Sequence, residues 1–495
     1  MTTKVVKGSL WTLAGQVAPL GVSLFTTPFV IRLLGSEGYG VLILVGLIPT
    51  YFAFADFGMG IASTKFASEA YAAGNAEKEA RTVRTAALIA LIVSLPVALA
   101  LFVFSNAAIT AFNVPPELHA EANLALKLAS ITFVVSFLNN IFNTPQLTRL
   151  RMDLNTFVNS GFRMFGLIAT PIVIYLGGGI LGAVAVLLAV ALMTLAAHIF
   201  VSARLLNQLF QPTLDRSLIR PMLKFGIPLA GAAIVAAMLT NLEKLVLAKN
   251  TSVESLAFYS VAFTLASMAT MLSAAMIQSL IPAFSQLLTP EKSEQLNSLF
   301  GRTIRMNLIL ILPVLTIMVI VARPFFTIWA GKDFGRESTF PFYVLLIGLF
   351  FHIVAYIPGT LLVSMGRTRL IASIYWLELF PYIGLVFFLS YRYGALGAAV
   401  AWSIRIGCDA LILMYFVWRD ARVSLNIFDS RTYYLLVAFA ILTVPIFALF
   451  SDSITFTILL LMVSLILYGL FAWKRLLFLD ERVWLVGRLN VMFKL

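Results

Sequence analysis

Ionisable side chains inside long apolar segments are the residues of this sequence best placed to do chemistry. Asp56 lies among glycines and aromatic residues in the second apolar segment, and Glu243 and Lys244 lie late in the seventh. A charge in hydrocarbon is costly, so such side chains usually face a cavity or a partner. Asp56 and Glu243 are therefore candidate sites for a coupling proton or Na⁺. Asp56 could instead make a structural hydrogen bond to a neighbouring helix, and Glu243 or Lys244 could reach the outer membrane interface.

The sequence gives no pattern for a metal site or another cofactor. His198 and His352 have no second histidine or carboxylate at ligand spacing, and the single cysteine, Cys408, lies inside an apolar segment. A metal site needs several such ligands at defined spacing. We therefore expect no cofactor beyond a possible coupling H⁺ or Na⁺.

The elements that must position these charges are membrane helices. The chain is 61% apolar and 12% charged, with a mean hydropathy of +0.97. Apolar runs of about 20 residues, each sufficient to cross a bilayer core, recur from one end to the other. We predict an all-α polytopic membrane protein with about 14 transmembrane helices. The predicted spans are Gly8–Leu34, Val41–Ser63, Thr85–Phe112, Ala122–Asn143, Phe157–Leu176, Ile180–Ala203, Leu223–Ala248, Ala257–Phe284, Ile304–Ala330, Phe340–Val363, Leu370–Tyr391, Ala395–Trp418, Thr432–Phe450 and Ile454–Trp473.

The distribution of Lys and Arg predicts how these helices are oriented. Most of the 35 basic residues fall in the loops on the same membrane face as the N-terminus. Cytoplasmic loops carry this excess, so both termini are predicted to be cytoplasmic. The net charge of +13 is then a property of membrane orientation, and we expect no nucleic-acid partner. The outer loops are short and leave no room for an extracytoplasmic active site.

The second half of the sequence echoes the first at an offset of roughly 215 to 221 residues. Lys7 is matched by Lys224, and Arg84 by Arg305. Recurrent basic loops can also follow from topology alone. Six helices per unit give a parallel repeat, with two lobes related by an axis along the membrane normal and a cavity between them. The predicted parts are an N-lobe at 1–210, a C-lobe at 211–422, helices 13 and 14 at 423–473, and a basic amphipathic cytoplasmic tail at 474–495.

Several motifs carry a resemblance to a known family over essentially the whole chain. They are KGSLWTLA at 7–14, RLLGSEGYG at 32–40, ADFGMG at 55–60, KFGIP at 224–228, NLE at 241–243 and LAFY at 256–259. Together they resemble the Wzx-type polysaccharide transporters of the multidrug/oligosaccharidyl-lipid/polysaccharide (MOP) exporter superfamily, which have a MATE-like fold. The resemblance implies a flippase that moves polyprenyl-pyrophosphate-linked oligosaccharide from the cytoplasmic to the periplasmic leaflet of a bacterial inner membrane. The repeat predicts that the two lobes rock to give alternating access.

The resemblance also selects site residues, because the family's cavity is lined mainly by the first, second, seventh and eighth helices. It implies cavity positions for Asp56, Glu243, Lys244, Arg32 and Lys249. Arg32 and Lys249, near the outer ends of their spans, could receive the pyrophosphate or could snorkel to lipid headgroups. Four inner cations could recruit the anionic substrate or simply set the topology. They are Lys65, Arg84, Arg302 and Arg305.

Other functions remain open at this stage. A drug/cation antiporter of the same superfamily would need a dominant carboxylate in a weakly basic cavity, whereas a flippase cavity should be net basic. Lipid II flippases tend to carry a cluster of arginines in the first span. Arg32 is the one arginine in the first span of this sequence, so a lipid II flippase is disfavoured. A polysaccharide polymerase or ligase would need a larger outer loop. We therefore predict a transporter rather than an enzyme, with membrane lipids, a polymerase and chain-length proteins as expected partners.

Overall fold

The computed structural model describes residues 2–211, 215–271, 273, 280–421, 430–443, 454–478 and 482 of the 495-residue chain. Within these residues the regular structure is entirely helical. The chain divides into two compact units, one formed by Met1–Ser260 with Ser390–Gly394 and the other by Val261–Leu389 with Ala395–Leu495.

The first unit contains nine helices and the start of a tenth. They are α1 (Thr2–Thr50), α2 (Met59–Ala72), α3 (Ala76–Val103), α4 (Ser105–Thr110), α5 (Pro116–Phe142), α6 (Thr144–Thr148), α7 (Met152–Val173), α8 (Gly179–Leu205), α9 (Arg216–Asn250) and α10 (Val253–Ser267). A short 3₁₀ helix, Ala53–Asp56, lies between α1 and α2. The unit extends past the predicted lobe boundary at 210 because α9 packs against α2 and the 3₁₀ helix.

The second unit contains the remaining α-helices that the structure describes, together with a 3₁₀ helix at Pro290–Lys292 and a π-helical turn at Ala472–Leu476. The α-helices are α11 (Leu280–Ser285), α12 (Ser293–Trp329), α13 (Lys332–Glu337), α14 (Thr339–Ser364), α15 (Thr368–Ala421), α16 (Ser430–Thr443) and α17 (Ile454–Phe471). Predicted span thirteen ends outside the described residues. Most of the predicted tail at 474–495 also lies outside them.

Glycines break the longest helical stretches between predicted spans. Gly35 in α1, Gly177 before α8 and Gly394 in α15 have φ values of 72°, 92° and 54°. These left-handed conformations are open to glycine because it has no Cβ. The described residues contain nine apolar helices long enough to cross a membrane, and three of them, of 40, 54 and 53 residues, hold these breaks. The count of fourteen spans and the two-lobe repeat remain predictions.

The predicted continuous second span, Val41–Ser63, is wrong in its middle. The α-helix ends at Thr50, and Phe57 and Gly58 adopt positive φ values of 48° and 68°, which no right-handed helix contains. The physical reason is the close approach of α9. A Cβ on Gly226 would overlap the carbonyl oxygen of Phe57, so two backbones meet here without intervening side chains. The break places Asp56 just before the N-terminus of α2.

Buried apolar clusters pack against the residues before and after this break in the helix. One buried cluster, which includes Leu44, Leu126 and Ile180, joins α1, α5 and α8 before the break. A second, which includes Met59 and Met222, joins α2 and α9 after it. Removal of apolar surface from water and close packing stabilise these contacts. The irregular backbone at 51–58 is thereby held between two packed regions.

Candidate functional site

A cavity of about 530 Å³ lies in the first unit beside the broken segment. Its volume falls in the range of about 300–1,000 Å³ typical of small-molecule sites. Asp56 is the one ionisable residue among the described residues that line it, and no lysine or arginine is among them. The lining residues are Ala53, Asp56, Gly58, Gly60, Ile61, Thr64, Phe137, Asn140, Asn143, Leu147, Leu229, Ala230 and Ala233.

Asp56 both faces this cavity and caps a helix. Its Oδ1 accepts a hydrogen bond from the backbone N–H of Gly58 at 2.7 Å, and its Oδ2 accepts a longer one from Gly60 at 3.4 Å. The positive end of the α2 dipole also favours a negative charge here. Asp56 thus makes a local structural contact and also lines the cavity, and its role in binding a substrate or a coupling ion remains a prediction. Its side chain is half-buried and keeps acceptor capacity for a ligand.

Asn140 and Asn143 were not singled out in the sequence, although both line the cavity. They are three residues apart near the end of α5 and so project from similar faces of the chain. Buried amides within an apolar span are costly unless they have partners. The run Asn139, Asn140 and Asn143 in predicted span four was therefore an available signal.

A second cavity of about 320 Å³ adjoins the first and is apolar. It lies between the second half of α1, α5 and α8, and it shares Ala53 and Phe137 with the polar cavity. Leu42, Val45 and Leu187 are among its lining residues. Polar and apolar volumes are thus next to each other in the first unit.

Glu243 and Lys244 do not line the polar cavity. Glu243 is fully buried on α9 and interacts electrostatically with Tyr51 and with Lys244. The Nζ of Lys244 donates a hydrogen bond to Asn241 Oδ1 at 2.8 Å. The structure thus places the two candidate coupling carboxylates, Asp56 and Glu243, in different surroundings of the same unit.

Arg32 and Lys249 are exposed, one just before the Gly35 break and the other at the end of α9. The turn at Lys249 is fixed by Asn113, whose Nδ2 donates to the carbonyls of Lys249 and Thr251 at 2.8 and 2.9 Å. The Lys249 ammonium group therefore extends from a rigid turn. The predicted role of both cations in binding pyrophosphate remains a prediction.

The inner cations of the first unit have contacts within their own chain. Lys65 pairs with Glu69 at 3.1 Å, and its Nζ lies 4.1 Å from the ring centre of Phe66. Arg84 donates from Nη1 to the carbonyl oxygen of Gln208 at 2.7 Å. Arg84 thus ties α3 to the loop after α8, a structural role that the sequence did not indicate.

Of the inner cations in the second unit, Arg305 is half-buried and Arg302 is exposed. The Arg305 guanidinium lies 4.1 Å from the ring centre of Phe478. Cation–π contacts of this kind stabilise both partners. Arg302 thus presents more of its side chain to a potential ligand than Arg305 does.

The second unit also contains a buried charge cluster with a partner that spacing did not predict. The i, i+4 spacing predicts an ion pair between Arg405 and Asp409. In the structure Arg405 Nη1 forms an ion pair with Glu378 Oε2 at 3.6 Å, and Asp409 also interacts electrostatically with Arg405. A straight helix would separate residues 378 and 405 by about 40 Å. The break at Gly394 lets the two halves of α15 lie side by side.

Comparisons of the sequence place the chain among polysaccharide biosynthesis proteins. Residues 5–288 match the profile of the family described as "Polysaccharide biosynthesis protein". A Shigella flexneri protein named "Putative O-antigen transporter" is 23% identical over 436 residues, which cover 85% of this chain and 100% of that protein. "Uncharacterized membrane protein EpsK" of Bacillus subtilis is 28% identical over 121 residues, covering 24% of this chain and 23% of that protein.

Comparisons of the structure establish the fold. A multidrug resistance MATE family transporter of the MOP superfamily in an inward-facing conformation has a TM-score of 0.67 at 13% identity, covering 84% of this chain and 94% of that one. The lipid II flippase MurJ in an inward closed conformation has a TM-score of 0.67 at 15% identity, covering 94% and 98%. The chain therefore has the all-α polytopic MOP fold. These neighbours are transporters and flippases, not enzymes.

Proposed function

Because this chain belongs to the polysaccharide biosynthesis protein family, we propose that it flips a polyprenyl-pyrophosphate-linked oligosaccharide across the bacterial inner membrane. It is a multi-pass membrane transporter with the MOP fold. The observation that carries the proposal is the match to the Shigella flexneri "Putative O-antigen transporter" along that protein's entire length. The flipped unit would then enter the assembly of a surface polysaccharide such as O-antigen, capsule or exopolysaccharide.

The two cavities of the first unit support an amphiphilic substrate. The polar cavity offers the Asp56 carboxylate and two amides, and the adjoining apolar cavity offers hydrocarbon surface. A lipid-linked sugar presents both kinds of surface. We propose that two lobes, predicted at 1–210 and 211–422, rock to open the substrate path alternately to each side of the membrane.

We propose that Asp56 or Glu243 couples this motion to an ion gradient. A proton or Na⁺ shifts a conformational equilibrium only if it binds the two states with different affinity. Asp56 fits this role because, among the residues that the structure describes, its charge is balanced by two backbone N–H groups and a helix end rather than by a cation. Glu243, buried beside Lys244 and Tyr51, is the second candidate.

We propose that exposed cations handle the pyrophosphate at the two membrane faces. Guanidinium and ammonium groups form charge-assisted hydrogen bonds with phosphate oxygens. Arg302 and Lys65 on the cytoplasmic side would recruit the anionic lipid, and Arg32 and Lys249 would receive it on the outer side. Arg84 and Arg305 are less suited to recruitment because their side chains are half-buried against their own chain.

A drug/cation antiporter is the second candidate, and one observation favours it. The described lining of the polar cavity contains a single carboxylate and no base, which suits a cationic ligand better than an anionic one. The two functions differ in what a cell loses. An antiporter protects against cationic compounds, whereas a flippase supplies lipid-linked sugar to the polymerase and chain-length proteins that we propose as partners.

Deletion of the gene, with complementation by the wild type or by the Asp56→Asn variant, tests the proposal. A flippase deletion should abolish the surface polysaccharide and cause lipid-linked oligosaccharide to accumulate on the cytoplasmic side. Complementation by the wild type should reverse both effects. Intact surface polysaccharide combined with new sensitivity to cationic dyes would instead support the antiporter.

A further inference from the structure

A further cavity, of about 380 Å³, lies between α3 and the start of α9 in the first unit, and we call it the α3–α9 crevice. Most of its walls are aliphatic. The described lining residues are Phe57, Thr85, Leu88, Ile89, Ile92, Val93, Asp215, Arg216, Ile219 and Leu223. None of these residues lines the polar cavity or the apolar cavity described above. The crevice is therefore separate from both.

The lining residues follow helical spacing, so the crevice runs along the two helices. On α3 they recur at intervals that keep one face from Thr85 to Val93, and on α9 they do so from Arg216 to Leu223. At a rise of 1.5 Å per residue the α3 wall is about 12 Å long. Half of a bilayer core of about 30 Å is about 15 Å thick. The crevice is therefore close in length to an acyl chain within one leaflet.

The aliphatic wall of the crevice is accessible. Ile92 is 61% exposed, and Leu88, Ile219 and Leu223 are partly exposed. Apolar side chains that face an empty crevice lose dispersion contacts unless another apolar group fills it. In a chain that spans a bilayer, a lipid hydrocarbon chain is the apolar group available.

One end of the crevice is basic. Arg216 lines it, and Arg220 lies one turn further along the same face of α9. Both side chains are exposed, and neither forms an ion pair with any residue that the structure describes. Two guanidinium groups are thus available to a ligand at this end.

Asp215, the one acid in the described lining, is used within its own chain. Its Oδ1 accepts hydrogen bonds from the backbone N–H and the hydroxyl of Ser217 at 2.9 and 2.5 Å, and its Oδ2 lies 4.0 Å from Arg81 Nη1. Lys78 also interacts electrostatically with Asp215, and Glu77 pairs with Arg81. Basic residues therefore outnumber acidic ones at this end of the crevice, which favours an anionic headgroup.

The basic end lies at the predicted cytoplasmic ends of both helices. The predicted spans begin at Thr85 in α3 and at Leu223 in α9, so Arg216 and Arg220 fall at the predicted membrane interface. The aliphatic wall extends from there toward the bilayer centre. Basic pockets between membrane helices on the cytoplasmic side bind the headgroups of anionic lipids.

We propose that the α3–α9 crevice binds an anionic phospholipid of the cytoplasmic leaflet. One acyl chain lies between α3 and α9, and Arg216 and Arg220 hold the headgroup phosphate through charge-assisted hydrogen bonds. A phospholipid fits better than a polyprenyl lipid, because an acyl chain ends within its own leaflet, as the crevice does, whereas most of a polyprenyl chain would remain outside.

The bound lipid would pack against the broken segment that carries Asp56. Phe57 lines the crevice, and the preceding residue, Asp56, lines the polar cavity. A lipid in the crevice therefore supports the backbone next to the polar cavity without entering it. This site does not rest on the proposed flippase function, since it serves any substrate of the first unit.

Native mass spectrometry of the full-length protein in detergent tests the site through the Kd of the first bound lipid. The probes are phosphatidylglycerol and phosphatidylcholine with identical acyl chains. The wild type should bind phosphatidylglycerol more tightly, and Arg216→Gln should raise the Kd of phosphatidylglycerol about fivefold while changing that of phosphatidylcholine less. The matched control is Arg163→Gln, which makes the same change of charge at an exposed arginine of α7 that does not line the crevice. It should keep the wild-type preference.

A second arm fills the crevice without altering a charge. Leu88→Trp adds volume from α3 and Ile219→Phe adds volume from α9, so each should weaken binding of both phospholipids. In either background Arg216→Gln should add little, because residues that act through one bound lipid are not additive. Thermal unfolding with added phosphatidylglycerol is measured in parallel. The lipid should raise the midpoint of the wild type more than that of either filled variant, and the second variant serves if the first does not fold.

Three results would overturn the site. They are equal affinity of the wild type for the two phospholipids, a preference that Arg216→Gln leaves intact, and displacement of phosphatidylglycerol by equimolar polyprenyl phosphate, which would assign the crevice to the chain of the transported lipid. A preference that is lost in Arg216→Gln and kept in Arg163→Gln, together with weaker binding in the filled variants, supports the site.

Discussion

Replacing Asp56 with asparagine removes a negative charge from the polar cavity while keeping an oxygen that can cap α2. The Oδ1 of Asp56 accepts from the Gly58 N–H at 2.7 Å, and an asparagine oxygen can accept the same bond. Asp56→Ala removes the charge and the cap together. Loss of a hydrogen bond of this kind costs about 1 kcal/mol, so the alanine variant should be destabilised by about that amount and the asparagine variant by little.

Transport should respond to the charge rather than to the cap. In proteoliposomes with an imposed proton or Na⁺ gradient, wild-type flipping of the lipid-linked oligosaccharide should be faster than without the gradient. Both Asp56→Asn and Asp56→Ala should lose this stimulation, because an ion that no longer binds cannot shift the conformational equilibrium. Thermal unfolding in detergent measures the stability of each variant in parallel.

The matched control is Glu69→Gln, which makes the same change of charge on α2, the helix that follows Asp56. Glu69 is 61% exposed at its side chain, pairs with Lys65 and does not line the cavity. It should keep full stimulation by the gradient. If Asp56→Asn flips the substrate with the same stimulation as Glu69→Gln, Asp56 acts only as a helix cap. Glu243 would then be the remaining coupling candidate.

Three further changes test the packing and the electrostatics of the first unit. Gly226→Ala should destabilise the protein by about 2 kcal/mol, because the new Cβ would overlap the carbonyl oxygen of Phe57. Gly231→Ala is the control, because a Cβ there meets no atom within 4 Å. Equal unfolding midpoints for the two variants would contradict this prediction. In the wild type Arg149 Nη1 pairs with Oε1 of the fully buried Glu79 at 2.5 Å, so Arg149→Met should lower the free energy of unfolding by about 3 kcal/mol. Adding Glu79→Gln should restore part of this loss. An unchanged unfolding midpoint in Arg149→Met would refute the pairing. Hydrogen bonds from the hydroxyl and the backbone N–H of Ser217 lower the pKa of Asp215, so this cap stabilises α9 at neutral pH and is lost as the pH falls below about 4. In Asp215→Ala, hydrogen exchange at the start of α9 should be faster than in the wild type at pH 7. Identical exchange would argue against the cap.

The membrane fold followed from the sequence because its signals are local. Apolar runs identify membrane helices without knowledge of their partners. Loop glycines such as Gly35 and Gly394 lie between predicted spans and adopt the positive φ values that separate them. The break at Phe57 and Gly58 could not be found in this way. It depends on the backbone of α9 at Gly226, which lies 169 residues after Phe57 in the sequence, and the hydropathy of the second segment does not encode this contact.

The candidate site was predictable in part. Asp56 was identified because a carboxylate in an apolar segment is costly wherever its neighbours lie. Its capping bonds depend on the local break and were missed. Asn140 and Asn143, which line the polar cavity, were missed because amides carry no charge. From the i, i+4 spacing, Asp409 was predicted to be the ion-pair partner of Arg405. The break at Gly394 brings Glu378, from the other half of α15, within ion-pair distance of Arg405.

Flipping of the lipid-linked oligosaccharide by the purified protein tests the central claim most directly. The protein would be reconstituted into liposomes that carry a fluorescent lipid-linked oligosaccharide in the outer leaflet, and the fraction protected from an impermeant quencher would be followed with time. Protection should rise in liposomes that contain the protein and stay flat in empty liposomes or with a labelled phospholipid. Protein-containing liposomes in which the glycolipid remains fully quenched, while a cationic dye is moved across the membrane, would contradict the account.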